Sequence, residues 1–415
     1  MTPFYRQSGS LMSGNKRCSE LAEEYGTPLY VYNRASIENA WQEFASALSG
    51  TDHLICYAVK ANSNLAVLDT LARLGSGFDI VSVGELKRVL AAGGQPGKIV
   101  FSGVGKTARE MATALEANIR CFNVESVSEL DRLADVAAAN GVVAPVSLRI
   151  NPDVDANTHP YISTGLKENK FGINMDDAMQ AYHRAAEHAH IDVQGIDCHI
   201  GSQLTTLAPY ADAVKLLVGM VDELQSQGIT LSHIDVGGGQ GIVYGDGDEQ
   251  LDVQGWAECV KSAVGERKLQ ILTEPGRYIV GQAGVLLTRV EYLKSNENRH
   301  FAVVDAAMND LIRPALYSAW QKIEPVETLE REEKTYDVVG PVCESADFLG
   351  KQRKLAIAEN DLLCVHSAGA YAFVMSSNYN TRPRSAEVMV DGDNAFVVRS
   401  REETEALFEH EFLLP

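Results

Sequence analysis

The sequence predicts an α/β protein: a (β/α)8 barrel of the TIM type followed by a mostly β domain at the carboxyl end. Three observations lead there. From residue 53 onward short apolar runs alternate with amphipathic helical stretches, and eight such units fit before residue 279, the signature of a parallel barrel. After residue 279 the apolar spacing changes from helical to strict alternation, as in half-buried strands. The length of 415 residues also exceeds what one small core organises, so two domains are expected. A doubly wound sheet ranks second, because it needs a topological switch and usually fewer strands.

In chain order, residues 1–35 form an N-terminal segment whose short strand, PLYVY at 28–32, is expected to join the β domain. A helix follows from about Ser36. Barrel strands are expected at 53–60, 77–82, 98–104, 119–125, 145–151, 191–200, 231–237 and 269–275. Two intervening helices open with capping boxes, Thr107 with Glu110 and Ser126 with Glu129. Another carries Val214, Leu217, Val218, Val221 and Leu224 at helical spacing. Residues 152–173 break the rhythm with a long polar connection, the character of a lid or binding loop. The barrel is expected over 36–278 and the β domain over 279–415, closing with a hairpin that turns at Asp391-Gly392.

Composition narrows the function. Hydrophobic residues at 45% and charged residues at 22% describe an ordinary globular protein. A net charge of −20 argues against nucleic acid or an anionic membrane as partner, since either requires a basic face. No apolar run has signal-peptide or transmembrane length. Seven scattered cysteines without a CxxC fit reduced thiols in the cytoplasm, and ten histidines without HExxH spacing give no metal site.

Barrel enzymes place their chemistry at the carboxyl ends of the strands. Those ends carry Lys60, Asp79, His199 with Ser202, the triplet Gly237-Gly238-Gly239, and Glu274-Pro275-Gly276-Arg277. Lys60 closes the apolar run LICYAV, where an unpaired ammonium is costly and its pKa is driven down. Such an amine can form a Schiff base with an aldehyde, although a strand-end lysine can also simply reach out to water. The glycines suit a phosphate approached by backbone N–H groups with Arg277 adding charge, or equally a tight turn. His199 can stack on a ring or serve as a satisfied core histidine. A lysine, a phosphate cradle and a carboxylate on one barrel face together describe pyridoxal 5′-phosphate, with Glu274 keeping the ring nitrogen protonated.

The motifs YAVKAN (57–62), HIGSQ (199–203), DVGGG (235–239), EPGRY (274–278), MNDLIRPALY (308–317), GPVCESAD (340–347) and SNYNTRPRSAEVMV (377–390) span nearly the whole chain. Jointly they resemble the barrel-type pyridoxal phosphate decarboxylases and, within them, the diaminopimelate decarboxylases. The resemblance implies decarboxylation of meso-2,6-diaminopimelate to L-lysine and CO2, the last step of lysine biosynthesis. It implies Lys60 as the cofactor lysine, His199 on the ring, and Ser202, Gly238, Gly239, Gly276, Arg277 and Tyr371 toward the phosphate. It implies Cys343 as proton donor, and Arg277, Arg313, Tyr317, Glu344 and Tyr371 as substrate ligands. Two arginines suit the remote carboxylate and Glu344 the remote ammonium, and Arg313 separates this substrate from a diamine precursor such as ornithine. The family also implies a homodimer in which the Cys343 loop reaches the partner's barrel. Ala307 and Ala346 depart from the expected glycine, which puts loop geometry in question there. A related decarboxylase acting on another basic amino acid or carboxynorspermidine is the alternative. A racemase would usually carry arginine where Glu274 stands, and a bare cofactor carrier would not need the β domain.

Overall fold

The computed structural model describes residues 3–154, 169–245, 247–297 and 299–415, and the chain separates into two compact units. One comprises residues 39–242 and 249–279; the other comprises 1–38, 243–248 and 280–415.

The first unit is a closed parallel barrel. Its strands are His53–Ala58, Gly77–Ile80, Ile99–Phe101, Cys121–Val124, Ala144–Asn151, Ile191–Asp197, His233–Asp235 and Gln270–Thr273. Each pairs in parallel with the next in sequence, and the eighth returns to the first through Ile271–His53, Leu272–Leu54 and Thr273–Ile55. Seven fall within the spans read from sequence and the fifth begins one residue before its span, because their apolar runs are buried on both faces and stand out against the helices.

Capping marks where the helices start. Thr107 and Glu110 form the full reciprocal box at Ala108–Glu116. The second expected box is only half made. Ser126 accepts from the Glu129 N–H, but the Glu129 carboxylate takes Lys106 Nζ at 2.7 Å and the Glu125 N–H at 3.1 Å. Lys106 is 5% exposed, and a buried ammonium needs a counter-charge more than a helix end needs a second cap. In Ala208–Ser226 the expected stripe of Val214, Leu217, Val218, Val221 and Leu224 is buried.

The second unit is built on a mixed sheet in the order Phe348–Leu355, Lys334–Val339, His300–Val304, Gly284–Ser295, Leu29–Asn33, Ala386–Asp391, Asn394–Arg399. The early strand Leu29–Asn33 lies inside it, antiparallel to Gly284–Leu287 and parallel to Ala386–Val390. Leu29, Val31, Val285, Leu287 and Val388 share one buried cluster. The terminal hairpin pairs Asp391 with Asn394, so its turn residues are Gly392 and Asp393, one position later than expected. Gly392 supplies the positive φ of +59° that this turn requires. The hairpin Phe4–Gln7 with Ser10–Ser13 and the strand Phe348–Leu355 add to the elements read from sequence. Among the described residues no helix is long and apolar enough to cross a membrane. Most of the expected lid loop, residues 155–168, lies outside the described residues.

Candidate active site

The carboxyl ends of the barrel strands gather the first set of residues. Lys60 sits on the tight turn Val59–Ala61 directly after the first strand. Its Nζ lies 2.6 Å from Asp79 Oδ2 at the end of the second strand, and Asp79 is fully buried. This corrects the expectation of a buried, unpaired amine. The side chain is 32% exposed and paired with a carboxylate.

Glu274 follows the eighth strand and is 4% exposed. Its Oε1 accepts from Asn123 Nδ2 at 3.1 Å and Ser102 Oγ at 3.4 Å. Asp197 and Asp235, at the ends of the sixth and seventh strands, bring carboxylate oxygens within 4.8 Å of it and of each other. Burial, reinforced by Asp79, Asp235 and Asp197, pushes the Glu274 carboxyl well above the usual carboxylate range, and Lys60 pulls against this. A cation placed beside Glu274 would favour its ionised form, as Lys60 already does.

His199 lies between these groups. Its Nδ1 accepts from the Gly238 N–H at 3.2 Å and stands 4.0 Å from Glu274 Oε2. Burial first, then the charges of Arg149 and Lys60, hold the imidazole well below its ordinary pKa. The ring is therefore neutral with its proton on Nε2, a flat uncharged face beside Glu274. Arg149 is itself fixed by Glu125 at 2.8 Å and donates to the His199 carbonyl at 3.4 Å.

The glycine triplet divides its labour. A Cβ on Gly237, Gly238 or Gly239 would lie 2.3, 2.1 and 2.3 Å from the carbonyl oxygens of Cys198, Glu274 and Gly201. Close packing therefore excludes any side chain at all three positions. The Gly237 N–H donates to Asp235 Oδ1 at 2.9 Å and the Gly238 N–H to His199, so neither amide is left for a phosphate. Gly238 thus orients His199, which revises its expected place in the cradle. Among the described residues the amides of Gly239 and Gly276 make no hydrogen bond. A Cβ on Gly276 would crowd Ala58 and Ala61 at 3.0 and 3.1 Å. Arg277, 5% exposed, donates through Nη2 to Ser202 Oγ at 2.9 Å. Two glycine amides and an arginine fit an oxyanion; Glu274 fits a protonated ring nitrogen; Lys60 fits an aldehyde. The barrel residues fit pyridoxal phosphate.

The β unit holds the remaining expected residues. Arg313 opens the short helix Arg313–Tyr317, is 7% exposed, and stacks on Tyr244 and Tyr317 at 5.2 and 5.8 Å from their ring centroids. Cys343 and Glu344 are exposed. Glu344 Oε1 accepts from the Tyr379 hydroxyl at 2.6 Å, a partner that sequence reasoning missed. Asp347, at the end of the same motif, is 3% exposed and accepts from the Met308 and Val342 N–H groups at 2.7 Å each. It is the anchor that lets Cys343 and Glu344 project. Tyr371 holds a positive φ of +54°, costly for a side chain and kept only where the surroundings dictate it. Neither Ala307 nor Ala346 has a positive φ, so alanine is unstrained at both. The buried acids Asp197 and Asp235 and the amide Asn123 escaped notice; the available signal was a polar residue inside or ending an apolar strand.

Residues 34–281 match the family model described as the pyridoxal-dependent decarboxylase, pyridoxal binding domain. The diaminopimelate decarboxylase of Vibrio cholerae is 59% identical over 415 residues, covering 99% of both chains. That of Aquifex aeolicus is 44% identical, covering 97% of this chain and 96% of its own. A crystal structure of diaminopimelate decarboxylase from Helicobacter pylori complexed with L-lysine is 43% identical, with a TM-score of 0.92, covering 95% of this chain and 98% of that one. The M. jannaschii enzyme in co-complex with L-lysine is 36% identical with a TM-score of 0.95, covering 99% and 98%. With barrel and β unit both matched along their length, the chain belongs to the diaminopimelate decarboxylases, within the pyridoxal-dependent decarboxylase family.

Proposed function

We propose that this chain decarboxylates meso-2,6-diaminopimelate to L-lysine and CO2, with pyridoxal phosphate held at Lys60. The observation that carries the reading is the full-length match: it covers the barrel that bears Lys60 and Glu274 and the β unit that bears Arg313 and Glu344. Bound pyridoxal phosphate supplies an aldehyde for the amine and a protonated ring that draws off the electron pair left when CO2 departs. Lys60 is the amine that holds the cofactor between turnovers, and Asp79 keeps it charged and in place when it is released. Glu274 holds the ring nitrogen protonated. The neutral His199 covers a ring face without competing for that proton. Gly239, Gly276 and Arg277, with Ser202 beside Arg277 and Tyr371 toward the same end, hold the phosphate.

The substrate has an amino-acid group at each end. Arg313 and Arg277 take the remote carboxylate, Glu344 takes the remote ammonium, and Tyr317 and Tyr371 complete the pocket. Arginine serves here because its planar fork matches a carboxylate in two parallel hydrogen bonds. Cys343 returns a proton to the α-carbon after CO2 leaves. Its exposed loop serves the barrel of a second copy across a two-fold axis, so the enzyme works as a homodimer with shared sites. The seven free thiols suit a reducing cytoplasm. The test is CO2 release from purified protein given meso-diaminopimelate, ornithine, arginine or carboxynorspermidine. Release from diaminopimelate well above the others is expected; preference for a substrate without a remote carboxylate would overturn the assignment.

A further inference from the structure

The opposite mouth of the barrel carries a feature that the proposed chemistry does not use. A cavity of about 390 Å³ opens among the amino-terminal ends of the eighth, first, second, third and fourth barrel strands. Its polar lining is supplied by Trp41, His53, Lys98, Arg120 and Gln270, with no aspartate or glutamate among the described residues that line it. In a chain of net charge −20, a cavity lined by two cations, a histidine and no acid stands out against its background.

The hydrogen bonds made and missed there say what it accepts. Lys98 Nζ donates to the Gly75 carbonyl at 3.0 Å, which fixes its charge at the wall. His53 Nδ1 is 3.0 Å from the Thr51 carbonyl and therefore carries a proton toward it. Gln270 Nε2 donates to Asp52 Oδ1 at 2.7 Å. Two shielded donors have no acceptor: the Trp41 indole N–H and Arg120 Nε–H. Among the described residues the Arg120 side chain makes neither a hydrogen bond nor an ion pair. Buried donors without acceptors are costly, and a guanidinium doubly so. The next cavity along the same end, about 360 Å³, shares Gln270 and adds Lys261, Lys268 and an Arg267 paired with Asp222, but Asp52 lines it too, so the acid-free lining belongs to the first cavity.

We propose that this cavity is a binding site for a small oxyanion, a carboxylate or phosphate accepted by the Arg120 guanidinium and Lys98. The charge of Arg120 also acts on His233 and Asp235, although burial dominates both.

The test uses cofactor-loaded enzyme, so that the cofactor's own phosphate seat is filled. Inorganic phosphate and malonate are titrated separately by calorimetry at constant ionic strength, with chloride as the control. A saturable heat from phosphate alone identifies a phosphate ligand, and from malonate alone a carboxylate; either supports the site. Arg120→Met is expected to weaken the anion at least about tenfold, the scale of a lost charge-assisted hydrogen bond. Lys98→Met weakens it less, and it carries the test where Arg120→Met fails to fold. No saturable heat with either anion would overturn the proposal. So would binding that survives in the variants unchanged, because the anion then sits elsewhere.

Discussion

Removing Lys60 leaves a buried carboxylate behind. Asp79 is fully buried 2.6 Å from Lys60 Nζ, and its other oxygen, Oδ1, has no hydrogen-bond partner. Lys60→Ala is therefore expected to fold but to lose about 1–3 kcal/mol in urea denaturation. Asp79→Asn recovers part of that loss in the double variant, because the stranded charge goes with it; strictly additive losses would show that the pair does not interact. The same lysine should be the one fixed to the cofactor by borohydride, read by peptide mapping, and label on another lysine would sink the barrel-face assignment. Arg313 makes the companion case for specificity. Its guanidinium is 7% exposed and stacked on two tyrosines, a preorganised cation. Arg313→Ala should raise KM for diaminopimelate by an amount worth about 2–5 kcal/mol, with far less effect on a substrate lacking the remote carboxylate. An equal loss on both would make Arg313 a structural residue.

The sixth and seventh barrel strands meet through one glycine and one histidine. A Cβ on Gly195 would lie 2.1 Å from Nε2 of His233, so the imidazole occupies the space that the missing side chain leaves. Gly195→Ala should cost roughly 1–3 kcal/mol by overpacking, and adding His233→Ala should return much of it. Burial pushes His233 from 6.5 down to about 3. Between those values the unfolded chain binds a proton that the folded chain refuses. The stability His233 contributes is thus present above pH 6.5 and is lost as the pH falls toward 3, about 2 kcal/mol by pH 5. Asp235, raised to about 7, has the opposite slope, losing its contribution as the pH climbs from the ordinary aspartate range. Comparing wild type with His233→Gln at pH 7 and pH 5 isolates the histidine; identical pH slopes would refute its buried neutral state. These elements also mark how far the sequence could be read. The barrel strands were legible because their apolar runs are buried on both sides, and Lys60 and Glu274 because charge at the end of such a run is conspicuous. What escaped depends on partners distant in sequence. The Glu129 side chain leaves its cap for Lys106, 23 residues earlier, and the Gly238 amide turns to His199, 39 residues earlier. No local pattern records either choice.

For the molecule as a whole, the proposed dimer predicts that each Cys343 serves the barrel of the second copy. The cysteine is exposed, on a loop pinned at its base by the buried Asp347, while its neighbour Glu344 is held by Tyr379. A thiol exchanges a proton near neutral pH only in a polar or cationic setting, which a pyridoxal site supplies. If that setting belongs to a second copy, damage to Lys60 and damage to Cys343 fall in different sites of a mixed dimer. Lys60→Ala and Cys343→Ala proteins, each inactive alone, then form dimers with one doubly damaged site and one intact site. Random exchange makes half the dimers mixed, so the mixture should recover to roughly a quarter of wild-type activity. The subunits are tagged differently, so that exchange is measured on the same sample. If Cys343 serves its own chain, every site in the mixture carries one lesion and activity stays near zero. Proven exchange with no recovery would reject the shared site and leave the assignment of Lys60, Glu274 and His199 to the barrel face untouched.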